Sequence, residues 1–177
     1  MAGTLRIDQD AARVIVQEEL EQLQQRIAAN MVKANEVASG RTLKSMHVET
    51  DVQKGTLFGR AFFGVLETGR RAGRVPRGFD QIIFQWMQDK NVHASPLPYK
   101  GKGPHKYTDP QLRGDMAMAS AIAWTIKKRG SSLFRKGGRD DIYSNEIPQT
   151  IKRIERRLVF LISDMAQSIN LNNIKIK

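Results

Sequence analysis

The chain has no cysteine among its 177 residues, which excludes a disulfide framework and any thiolate metal site. Long apolar runs are missing too. The longest strictly large-apolar stretch is LVFLI, Leu158 to Ile162, far short of the roughly 20 residues that cross a bilayer. The N-terminus MAGTLRIDQDAARV has no basic flank followed by an apolar core, so neither a signal peptide nor a membrane span is expected. Acidic residues are scarce in one place only: residues 60 to 139 hold 16 Lys and Arg against 5 Asp and Glu, while the remainder holds 13 against 13. The formal net charge of +11 therefore sits in the middle of the chain, as one surface facing an anionic partner would require.

What is present is enough apolar content, 40%, for one packed domain over residues 1–177. An α+β fold is expected, with long terminal helices around a central antiparallel hairpin and two shorter helices. Leu20, Leu23, Ile27, Met31 and Ala34 recur at spacings of three and four and predict a helix over 9–38, stopped by Ser39-Gly40. The alternation Met46, Val48, Thr50, Val52, a turn at Lys54-Gly55 and the apolar run TLFGRAFFGVL predict a β-hairpin over 43–66. Residues 67–77 then form a loop carrying four arginines. A helix over 78–90 places Phe79, Ile82, Ile83, Trp86 and Met87 on one face, with Trp86 expected as a core anchor.

Residues 91–108, rich in proline and glycine, are expected as a long exposed loop, and Asp109-Pro110 as the start of a helix over 109–129 that ends at Lys127-Lys128-Arg129-Gly130. A second basic loop, FRKGGRDD, leads to a helix over 145–169, striped by Ile151, Ile154, Leu158, Leu161 and Met165. The tail 170–177 is too short to fold alone; Ile174 and Ile176 alternate with lysines as an edge strand would. Both this tail and the 91–108 loop are expected to become ordered only on assembly, against the commoner outcome of disorder.

Clustered catalytic chemistry is not found. His47, His93 and His105 lack ligand spacing, Gly101-Lys102-Gly103 lacks the remainder of a phosphate loop, and Asp140-Asp141 suits a helix N-terminus better than a cation site. No enzyme activity, metal or cofactor is expected.

The order of a long amphipathic helix, SGRTLKSM, a hairpin, an aromatic strand ending in VLETGRRAG, the tryptophan helix IIFQWMQDK and the late IAWTIKKRGSSLFRKGGRDDIYS resembles the small neck and tail-completion proteins of tailed bacteriophages. Gly40, Leu43 and Ser45 stand at the segment that opens the first strand in that family, and Phe62, Phe63, Leu66, Glu67 and Gly69 at its Glu-x-Gly turn. The resemblance covers most of residues 38 to 145. It implies a homomeric ring without a catalytic site between portal and tail. The ring would touch portal or adaptor proteins and tail proteins, make non-specific contact with genomic DNA, and lie in the virion neck or tail after assembly in the host cytoplasm. Under it, Arg70, Arg71, Arg74, Arg77, Lys100, Lys102 and Lys106 face the DNA channel or a neighbouring ring, and Phe62, Phe63, Val65, Leu66, Ile174 and Ile176 face the next subunit. The alternative is a sequence-independent nucleic-acid-binding protein using the basic middle segment with Tyr99, Tyr107, Phe134 and Tyr143 as stacking groups.

Overall fold

A computed structural model of the chain describes residues 9–101 and 109–173. The fold is α+β: helices α1 (Gln9–Lys33), α2 (Arg41–Lys44), α3 (Val65–Thr68), α4 (Phe79–Asp89), α5 (Pro110–Arg129), α6 (Ser132–Arg135) and α7 (Glu146–Asn173) accompany one antiparallel pair, β1 (His47–Thr50) and β2 (Gly55–Phe58). Where the composition suggests one domain, the contacts group the chain into two compact units. One comprises Met1–Asn35, Thr42–Ala61 and Asp140–Lys177; the other comprises Glu36–Arg41 and Phe62–Arg139.

In the first unit α1 ends earlier than its apolar period suggests. Asn35 adopts φ 56, the left-handed conformation with which asparagine can terminate a helix. Leu23, Ile27 and Met31 bury one stripe of α1, and the hairpin lies against the adjacent stripe. A side chain at Gly55 would collide with Val16 and Leu20, so glycine is what lets β2 approach the helix. Gln24 Nε2 donates to the Met46 carbonyl at 2.9 Å. The turn is built by Asp51, whose Oδ1 accepts from the Gln53 and Lys54 backbone N–H groups at 2.7 and 2.9 Å, and the register pairs His47 with Phe58 and Thr50 with Gly55.

Helix α7 meets α1 through charge. Glu19, 4% exposed, accepts from Arg153 Nε at 3.0 Å and Arg157 Nη1 at 3.2 Å. Arg26 reaches Glu146 at 3.0 Å and the Thr150 hydroxyl at 3.1 Å. Two arginines on one buried carboxylate satisfy the requirement that a buried charge be paired. The Glu18 carboxylate, seconded by Glu19, raises the Arg157 pKa further.

The expected hairpin over 43–66 is too long at both ends. Residues 41–44 are helical, and the second strand stops at Phe58. Gly59 and Gly64 interrupt the apolar run, and a strand apolar on both faces has, among the described residues, only β1 to pair with, so the segment after Phe62 coils instead. Val65 N–H and Leu66 N–H donate back to the Phe62 and Phe63 carbonyls, leading into α3. Similarly, residues 170–173, expected in the tail, continue α7.

In the second unit α4 packs on α5. Ile83 and Met87 bury against Ala119 and Ala123, flanked by Phe79, Phe84, Met118, Ile122 and Ile126. Small residues on α5 let the two helices close together. Trp86 is not the core anchor its spacing suggests: at 43% exposed it stands at the margin of a seam whose centre, Met87, is fully buried. Met87→Ala should therefore lower unfolding free energy by about 3 kcal/mol and Trp86→Ala by only about 1 kcal/mol, as measured by urea denaturation of the two variants.

Candidate functional site

The C-terminal end of α5 is where the arginine loop is built. A helix leaves its last carbonyls without internal donors. Here Gly130 N–H returns to the Ile126 carbonyl at 2.9 Å and Gly73 N–H, from the loop, caps the Lys127 carbonyl at 2.9 Å. Ser131 then locks the loop's first residue by a reciprocal pair: Arg70 N–H donates to Ser131 Oγ at 2.9 Å, and Ser131 N–H donates to the Arg70 carbonyl at 2.8 Å. The same hydroxyl accepts from Phe134 N–H at 3.2 Å and so starts α6. Gly69 at φ 68 and Gly130 at φ 81 occupy the left-handed region, and a Cβ on either would press into backbone, that of Phe134 and of Arg70 respectively. Arg139 N–H donates to the Glu67 carbonyl at 2.9 Å, which closes the second basic loop onto the turn that launches the first.

The four loop arginines are not equivalent. Arg70 turns inward: its Nη2 donates to the Arg74 carbonyl at 3.0 Å and its guanidinium lies 5.2 Å from the Phe79 ring centroid, a cation–π contact. Its buried Nε has no hydrogen-bond partner. Arg70 thus shapes the loop, while Arg71, Arg74 and Arg77 are exposed. Beside them stand Lys127, Lys128, Arg129, Arg135 and Lys136, all exposed, and none of these eight cations is in an ion pair among the described residues. The sequence contains no Asp or Glu from 68 to 79 or from 116 to 139, so the segments that carry these cations contribute no carboxylate.

Comparison of the chain with protein-family models, curated proteins and solved structures finds no match.

The remaining expected site residues divide. Lys100 is exposed at the end of the segment after α4, whereas Lys102, Lys106, Ile174 and Ile176 lie outside the described residues, as does Tyr107. Phe62, 68% exposed, and Val65 present apolar surface, and Phe63 and Leu66 are half-buried; all four belong to the turn and to α3, not to a strand. Of the proposed stacking groups, Tyr99 holds the Arg113 guanidinium 4.8 Å from its ring centroid, Phe134 is partly exposed, and Tyr143 belongs to the other unit. The single aromatic of α5, Trp124, is 57% exposed and stands one turn before Lys128 on the same face of the helix.

A second construction on α5 was invisible in the sequence. The expected exposed loop beginning at residue 91 is strapped to the helix as far as Leu97, whose N–H donates to the Pro110 carbonyl at 2.8 Å. Asp115, 2% exposed, holds it: Oδ1 accepts from Ala94 N–H at 2.7 Å and from Gln111 Nε2 at 3.0 Å, and Oδ2 faces His93 Nδ1 at 3.0 Å. Gly114 gives the strap room, because a Cβ there would strike the Ser95 carbonyl. The imidazole–carboxylate pair resembles a general-base arrangement, but Nε2 is taken by Asn91 Oδ1 at 3.2 Å, so the pair fastens the strap. Only the Asp115–Gln111 spacing of four hints at it in the sequence.

Two measurements check these constructions. Removing the Ser131 hydroxyl in Ser131→Ala orphans the Arg70 N–H and should cost about 1–2 kcal/mol, with faster amide exchange at residues 70–73 than elsewhere in the unit. The hydrogen bond from His93, aided by those from Ala94 and Gln111 and opposed by burial, holds the Asp115 carboxyl below its ordinary 3.8. A depressed folded pKa stabilises the fold above the unfolded value and loses that contribution as pH falls toward the folded one. Asp115→Asn should therefore be less stable than the parent at neutral pH, and the gap should narrow as urea melts are taken below pH 3.8.

Proposed function

We propose that this chain is a structural, non-catalytic component of a tailed-bacteriophage virion, one copy of a homomeric ring at the neck or upper tail that joins the portal to the tail around the DNA channel. The observation that carries this is the arginine loop: a run of exposed cations fixed to a helix end by hydrogen bonds and in no ion pair among the described residues. A ring that surrounds or abuts an anionic body needs a positive element at a constant position in every copy. The order of sequence motifs from Gly40 through Ser144 supports the same conclusion. The apolar surface of Phe62 and Val65, at the foot of the loop, suits contact with the next subunit.

Quantitative mass spectrometry of purified particles tests this: the protein should be present at several identical copies per virion. Arg71→Ser, Arg74→Ser and Arg77→Ser combined, with Arg70 kept for its role within the loop, should leave the melting temperature within about a degree, since each exposed change costs little. Particle assembly or genome retention should fall. Absence of the protein from particles ends the proposal.

A further inference from the structure

We propose that the basic surface of the second unit is a sequence-independent site for a single nucleic-acid strand, with phosphates on the arginine loop and the end of α5 and a base stacked on Trp124. The same surface serves the proposed ring contact; here its partner is named, and the chemistry does not require a ring.

Cations on three separate elements are brought together by a clamp. Arg71, Arg74 and Arg77 come from the loop, Lys127, Lys128 and Arg129 from the last turn of α5, and Arg135 and Lys136 from α6 and its cap. The clamp uses backbone groups and the Ser131 hydroxyl, through the Lys127 carbonyl and the Arg70–Ser131 pair, and none of the eight charged side chains takes part, so the charges meet whether or not a ligand is there, and binding does not have to order them first. Cations at a helix C-terminus complement its dipole, which accounts for Lys127, Lys128 and Arg129 but not for the arginines laid beside them. With none of these eight cations in an ion pair among the described residues, the surface is complementary to a polyanion.

Trp124 distinguishes among polyanions. An indole 57% exposed, next to the small side chains of Ser120 and Ala121 and one turn from Lys128, offers a flat apolar face beside cations. That combination of backbone-tracking charge and an aromatic platform suits unpaired bases. A duplex hides its base faces, and the carboxylates of an acidic protein surface would engage the cations without calling on the indole.

The test uses the purified full chain, fluorescein-labelled (dT)20, a hairpin duplex of similar charge, and polyglutamate as competitor, read by fluorescence anisotropy over a range of salt. Binding to (dT)20 should weaken steeply with salt, and the Arg71/Arg74/Arg77→Ser triple variant should reduce the log–log salt slope by about two, at about 0.7 per phosphate neutralised. Trp124→Ala should weaken (dT)20 binding about tenfold with the slope and the duplex affinity unchanged. Trp124→Phe, which keeps an aromatic face, should restore most of that loss. Three results would overturn the inference: no binding to (dT)20, displacement by polyglutamate at equal charge, which would point to an acidic protein partner, or equal losses on single strand and duplex in Trp124→Ala, which would leave a duplex backbone contact only. Because all of these are read on the isolated protein, they stand apart from the particle copy number that decides the ring.

Discussion

The last carbonyls of α5 need donors that the helix itself does not contain, and the second unit is organised around that constraint. Gly130 meets one carbonyl from within the chain's own turn, and Gly73 meets the next from the loop. Once Gly73 is held, Arg70 is brought against Ser131, and the Ser131 hydroxyl both receives the Arg70 N–H and opens α6. The positive loop is thus a cap on a helix end, and its charge is displayed because its backbone is occupied. Lys127, Lys128 and Arg129, in the last turn of α5, are also in the favourable field of the helix dipole's negative pole.

The two units bury charge to different ends. In the first, Glu19 sits between Arg153 and Arg157, and the helices α1 and α7 are registered by ion pairs in addition to apolar contact. Such pairs return little net stability over an apolar isostere, but removing one partner leaves a buried charge exposed to a large desolvation cost. In the second, Asp115 is buried under hydrogen bonds from the strap it fastens. Both carboxylates hold segments distant in sequence, whereas the cations of the arginine loop hold nothing except through Arg70. That asymmetry, Asp115 buried and satisfied while the eight cations at and beside the arginine loop are in no ion pair among the described residues, leaves the second unit with a positively charged surface.

Aromatic placement follows the same division. Phe79 is covered by Arg70 and belongs to the α4–α5 seam, and Tyr99 is occupied by Arg113. Trp124 and Phe62 remain open to solvent. Burying a tryptophan is worth more than burying most side chains, so one left open on a helix whose opposite side is packed by alanines is a feature of the surface and not of the core.

The sequence by itself determined the helices with strong local signals. Asp109-Pro110 starts α5 and Gly130 ends it as their chemistry requires, Gly78 opens α4, and the central concentration of positive charge is plain from residue order. These features depend on neighbours within a few positions, which a linear reading contains. The extent of the hairpin was decided by tertiary structure: the apolar run from Thr56 to Leu66 fits a strand by composition, but with one short partner strand and glycines at 59 and 64 it stops at Phe58 and coils. Trp86 fits the helix period as well as Met87 does, and only the position of α5 decides which is buried. The strap on Asp115 and the lock between Arg70 and Ser131 join residues 21 and 61 positions apart, and no local pattern encodes a hydrogen bond whose two ends are brought together only when the helices between them have packed.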